Sequence, residues 1–137
     1  MLFVTLFIWL LGARAEAAPT SSCSSPRNAV ATLLDNLQPQ DWNPEKASTC
    51  FGLDSQEDAA KLGIQLKQVL DARGIFIYYE KLPDDADYTN EQGSSTAVIS
   101  EKIEEISLVK TNGEWVFSPE SRAEIPKLYS ETFSSWI

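Results

Sequence analysis

Residues 55–80 constrain this chain more than any other stretch, because they read as a capped amphipathic helix running straight into an apolar strand. Ser55 fits an N-cap, and Asp58, three residues on, supplies an acid in the first turn. Leu62, Leu66, Val69 and Leu70 recur at helical spacing, while Lys61, Gln65, Lys67 and Gln68 fall elsewhere on the cylinder. Arg73 suits the dipole of the last turn, and Gly74 offers a left-handed stop. Residues 75–79, Ile-Phe-Ile-Tyr-Tyr, follow at once. They are β-branched and aromatic and too short for a second helix, so they predict a central strand. A helix and strand of this kind specify a core, not a chemistry.

The 137 residues correspond to one domain preceded by a leader. Residues 1–11 are almost wholly apolar, and small-x-small sites follow at Ala13-Arg14-Ala15 and Ala15-Glu16-Ala17. The apolar run is about half the roughly 20 residues that cross a bilayer, so residues 1–17 read as a secretory signal peptide cleaved after Ala17. The n-region carries no Lys or Arg. Residues 18–24, rich in Ser, then read as a flexible tail.

The net charge is −9, and removing residues 1–17 takes away one charge of each sign. An acidic chain lacks the basic patch that nucleic acid or an anionic lipid surface needs, so neither is an expected partner. No histidine occurs, which excludes Ser-His and Cys-His catalysis within the chain and removes the commonest metal ligand. The two cysteines, Cys23 and Cys50, are candidates for a disulfide in an exported chain. Nothing in the sequence brings Cys23 to Cys50. Pairing therefore stays open against the alternative of a free, buried Cys50.

Along the chain, Ser25-Pro26 starts a helix with Val30, Leu33, Leu34 and Leu37 on one face. Asn43-Pro44 starts a short second helix, with Trp42 placed to staple onto Ala47 and with Cys50, Phe51 and Leu53 read as core. Residues 82–95 form a polar, acid-rich interruption containing Asp84, Asp85, Asp87 and Glu91. A calcium loop fails here, because counting from Asp85 puts Asn90 at the position needing Gly and Thr96 at the one needing Glu. Residues 97–100 and 103–110 read as strands. Asn112-Gly113 then supplies a type I′ turn that sets Lys110 opposite Trp115, Val109 opposite Val116 and Leu108 opposite Phe117. Ser118-Pro119-Glu120 begins a last helix, which Pro126 is expected to break near Ile125. Residues 133–137 end the chain on an apolar note, read as a docked terminal helix or as a tail preceding a membrane segment.

The catalytic inventory is thin. Glu104 and Glu105 are adjacent, so on a strand they point to opposite faces and do not pair as acid and base. The six glycines are scattered at turns, with no phosphate-cradling run. The chain therefore reads as non-catalytic, with no cofactor and no metal-ligating set. Among the aromatics, Trp42 and Trp115 read as core, whereas Tyr88 in the acidic loop and Trp136 near the end are candidate interface residues. The fold class expected is α+β: three N-terminal helices on a small, mostly antiparallel sheet (residues 75–79, 97–100, 103–110 and 114–118), with a broken C-terminal helix.

Several segments, taken in order, carry a resemblance. They are Ser25-Pro26-Arg27-Asn28-Ala29-Val30, Cys50-Phe51-Gly52-Leu53, Ala59-Ala60-Lys61-Leu62 with Leu66-Lys67-Gln68-Val69-Leu70-Asp71, Gly113-Glu114-Trp115-Val116-Phe117-Ser118, and Ile125-Pro126-Lys127-Leu128-Tyr129. Together, over residues 25–133, they resemble the N-terminal extramembrane domain that precedes the transmembrane helices in some bacterial proteins of the small-conductance mechanosensitive channel family. The resemblance implies a periplasmic domain attached to, or acting beside, the inner membrane. Its implied partner is a membrane channel region of the same or another chain, and a homo-oligomer is compatible with it. The family's pore and following β domain have no matching positions here, so no channel residue carries over. The helix order also resembles the cone-shaped α+β domains of the nuclear-transport-factor-2-like superfamily, which implies a stand-alone exported binding module as the rival reading.

Overall fold

The computed structural model describes residues 21–134. Four helices and a three-stranded antiparallel sheet make an α+β fold. Helix α1 (Pro26–Asp35) starts where Ser25 accepts a hydrogen bond from the Asn28 N–H. Helix α2 (Pro44–Ala47) is capped likewise by Asn43, and a 3₁₀ turn (Thr49–Phe51) ends at Gly52 with φ +66°. Helix α3 (Gln56–Ala72) is capped by Ser55. It buries Leu66, Val69 and Leu70 and leaves Leu62 only half-covered. Gly63 lets α3 approach Ser48 closely: a β-carbon there would lie 2.5 Å from the Ser48 hydroxyl oxygen.

The sheet runs β1 (Thr96–Val98), β2 (Ser107–Thr111), β3 (Glu114–Phe117) in that spatial order. The hairpin has the register expected, with Leu108, Val109 and Lys110 opposite Phe117, Val116 and Trp115. Its turn places Asn112 and Gly113 at φ 51° and 79°, the left-handed values a type I′ turn requires. Helix α4 (Pro119–Ser134) follows, with Ser118 as its cap. Trp115, Phe51, Phe117, Leu33, Leu66, Ile103, Ile106, Leu108 and Ile125 fill the core and are fully buried.

Several expectations need correction. Residues 75–79 form no strand. The Ile75 N–H closes the C-terminus of α3 onto the Leu70 carbonyl, and the chain then turns into a 3₁₀ segment (Tyr79–Lys81). Ile77 faces inward and Phe76 and Tyr78 outward, as in a strand, but among the described residues no neighbour pairs with them. Residues 103–106 form tight turns, with the Ile103 and Ile106 N–H groups bonding three residues back, so the second strand starts only at Ser107. Helix α4 continues through Pro126. Pro126 is exposed while Ile125 and Leu128 are buried, so its ring sits on the solvent side of the helix and the residues around it stay packed.

Trp42, read as core, is 56% exposed. Leu53, also read as core, is exposed. Residues 21–24 are no free tail: Cys23 is buried, and its carbonyl accepts the Trp115 N–H at 2.7 Å. The leader (residues 1–17) and Trp136 lie outside the described residues.

Candidate functional site

The acidic loop is where the sequence concentrates charge, and its side chains are turned to holding the loop in place. Asp84 accepts from the Ser25 hydroxyl at 2.8 Å and lies 3.8 Å from the Arg27 guanidinium. The Arg27 Nε–H and backbone N–H donate to the carbonyls of Leu82 and Pro83. Asp85 accepts from the Asp87 N–H, and Asp87 pairs with Lys110 at 3.0 Å. Asn90 accepts from the N–H groups of Gln92 and Ser94. The Trp115 indole N–H donates to the Ala86 carbonyl at 3.0 Å, which ties the loop to the hairpin. The exposed ion pairs contribute little to stability individually, and their role is to set the loop's course.

Tyr88 belongs to this scaffold. It is half-buried against the core, with its ring 6.2 Å from that of Trp115. This leaves it a smaller free surface than its place in an acidic loop suggests. Among the described residues, no group of three or more Cys, Asp or Glu is placed to hold a metal ion. Glu104 and Glu105 are both exposed in the turns before β2.

Two polar clusters were not visible in the sequence. Buried Ser118 and Ser121 form a network with half-buried Ser107, with hydroxyl oxygens 2.7 Å apart between Ser118 and Ser121 and 3.1 Å apart between Ser107 and Ser118. Its members cap α4 and fasten it to the start of β2, since the Ser107 N–H donates to Ser121 at 2.8 Å. The hydroxyls are engaged with one another and with the carbonyls of Glu105 and Ser107, which binds the start of α4 to the chain entering β2. The Arg122 guanidinium reaches across the molecule and donates to the carbonyls of Phe51 and Phe117 at 2.9 and 3.0 Å. The second cluster joins Tyr79 to Asp35.

The Tyr79 hydroxyl donates to Asp35 at 2.8 Å. Burial, then that hydrogen bond, then the adjacent carboxylate all push the Tyr79 phenol above its ordinary value. The neutral form is therefore favoured by folding, and stability falls as pH rises above the unfolded value of about 10. Urea midpoints taken from pH 8 to pH 11.5 should decline more steeply for the native chain than for Tyr79→Phe. Parallel declines would remove Tyr79 from the alkaline response.

Cys23 and Cys50 form a disulfide with Cα atoms 5.6 Å apart. A groove of about 730 Å³ is lined by Pro44, Glu45, Glu57, Lys61, Ile64 and Tyr129 among others. Phe51 and Phe117 stack at 4.5 Å in the interior, where they and Trp115 are fully buried. No described helix is long and apolar enough to cross a membrane. The chain matches no protein-family model, no curated protein and no solved structure.

Proposed function

We propose that this chain is a non-catalytic extramembrane domain that packs against or regulates a membrane assembly, as its resemblance to the N-terminal domain of small-conductance mechanosensitive channel proteins implies. The observation that carries the reading is where the resembling segments fall. Phe51 and Phe117, from two of them, stack in the core. The first caps α1, and the last supplies Ile125 and Leu128 to the face of α4 that is buried. The resembling segments thus supply caps and core positions, which supports a scaffolding role. A disulfide between Cys23 and Cys50 suits an oxidising compartment, which supports export.

The test is made in the source cell. Alkaline phosphatase, active only when exported, is fused after Ser134, and the untagged native gene product is crosslinked with formaldehyde and its partners identified. The expected result is an active fusion and a crosslink to an integral membrane polypeptide, or in-frame apolar spans of about 20 residues in the same gene product. An inactive fusion overturns the exported reading. An active fusion with no membrane partner and no such span overturns the membrane-assembly reading.

A further inference from the structure

Among the described residues five large apolar side chains are exposed, and three of them, Phe76 at 70%, Tyr78 at 48% and Val98 at 45%, line one groove of about 280 Å³. One wall of the groove is β1 and the turn after it, residues 97–102, and the other includes Phe76, Tyr78, Leu82 and Pro83. Strand β1 is an edge strand. Its bonds to β2 are made by alternate residues: the Ser95 carbonyl accepts from Lys110, Ala97 lies opposite Leu108, and the Ile99 N–H donates to Ile106. Thr96 and Val98 are the intervening residues, so their N–H and C=O groups point away from β2 to the open edge. Across the groove, Tyr78 is extended, burial alternates over Phe76, Ile77 and Tyr78, and among the described residues the N–H groups of these three meet no acceptor. A short run rich in strand formers therefore lies unpaired beside an unpaired strand edge.

We infer that this groove is a slot for one extended strand, supplied by a partner polypeptide with alternating apolar residues and carboxylates between them. The added strand pairs with the outward N–H and C=O of Thr96 and Val98, and its apolar side chains cover Phe76, Tyr78 and Val98. The charge of the walls selects the partner. In a chain of net charge −9, the groove is lined by Lys81 and Lys102 against Glu101 alone. Lys81 sits over the Tyr78 ring, 4.8 Å from its centroid, where it stays available to a carboxylate. Among the described residues, neither lysine has a carboxylate within ion-pair distance. A second copy would offer its own edge strand, Thr96–Val98, which carries no carboxylate for these lysines, so it is the poorer occupant. The inference stands on the groove and is independent of the membrane-assembly reading.

The probe is a fluorescent nine-residue peptide alternating Val and Glu, titrated into the full chain and followed by anisotropy and by amide exchange. Controls are the same peptide with Lys for Glu and one with alternate backbone nitrogens methylated. Val98→Pro removes the outward N–H at an edge position that tolerates proline, and near-ultraviolet dichroism of the buried Trp115 checks that this variant is folded. If Val98→Pro does not fold, Lys81→Glu with Lys102→Glu takes its place. The expected result is binding of the Glu peptide at least tenfold tighter than the Lys or methylated peptide, slowed exchange at Thr96 and Val98, and at least tenfold loss in the variant. Four outcomes overturn it: no binding of the Glu peptide, binding indifferent to methylation and to the variants, a concentration-dependent dimer that occupies the edge, or edge amides already protected until residues 1–20 are deleted.

Discussion

Phe117→Ala is expected to lower the free energy of unfolding by about 3–5 kcal/mol, the range for emptying a fully buried aromatic site. Phe117 is wholly inaccessible and stacks on Phe51 at 4.5 Å with the rings 22° apart. It also sits opposite Leu108 in the hairpin, so its ring joins the sheet to the 3₁₀ turn that follows α2. The substitution isolates that ring, because the Phe117 contact with Arg122 is made by the backbone carbonyl and survives truncation. The remaining wall includes Phe51, whose neighbour Cys50 is tied by the disulfide, so the site has little freedom to collapse into the space left. Urea unfolding measures the effect as a shift of midpoint at unchanged slope. A midpoint within experimental error of the native one would mean that the core is not centred on this pair.

That pair also shows what the sequence could and could not say. The hairpin was legible because Asn112-Gly113 fixes a two-residue loop, and loop length alone then dictates which residues face each other. The helix starts were legible for a similar reason: Ser25, Asn43 and Ser55 each act within three residues of themselves. Residues 75–79 were misread because strand propensity describes a side chain's fit to a pleated surface, not the presence of a partner edge. Pro126 was misread because its ring lies on the exposed side of a helix that buries Ile125 and Leu128, and exposure is a tertiary fact. Tyr88 was legible as an aromatic in a polar loop but not as a neighbour of Trp115, 27 positions away in sequence. The Ser107–Ser118–Ser121 network and the long reach of Arg122 had no local signal at all, since each depends on α4 returning to the sheet.

Loss of the Cys23–Cys50 bond is expected to cost about 3 kcal/mol, through the added freedom of an unfolded chain no longer closed over a separation of 27 residues. Both cysteines are buried, so a reductant should act slowly on the folded protein and rapidly once urea opens it. The oxidised protein and the Cys23→Ala/Cys50→Ala variant should both fold cooperatively, because the core around Phe51, Leu66, Trp115 and Phe117 is present in each. They should differ in urea midpoint and in slope, the variant having the steeper slope because its unfolded ensemble is less compact. Equal midpoints would mean that the bond constrains nothing the unfolded chain does not already avoid. The consequence reaches past stability, because domains of this kind have only about 5–15 kcal/mol in hand. Residues 21–24 reach the hairpin through the Cys23 carbonyl, which takes the Trp115 N–H, so an unlinked chain frees that segment first. Its buried faces on α1 and β3 are then opened to water, and the folded population falls with them. A chain so constructed keeps its full margin only where thiols stay oxidised, which makes the same measurement in reducing and oxidising buffer a physical counterpart to the export test.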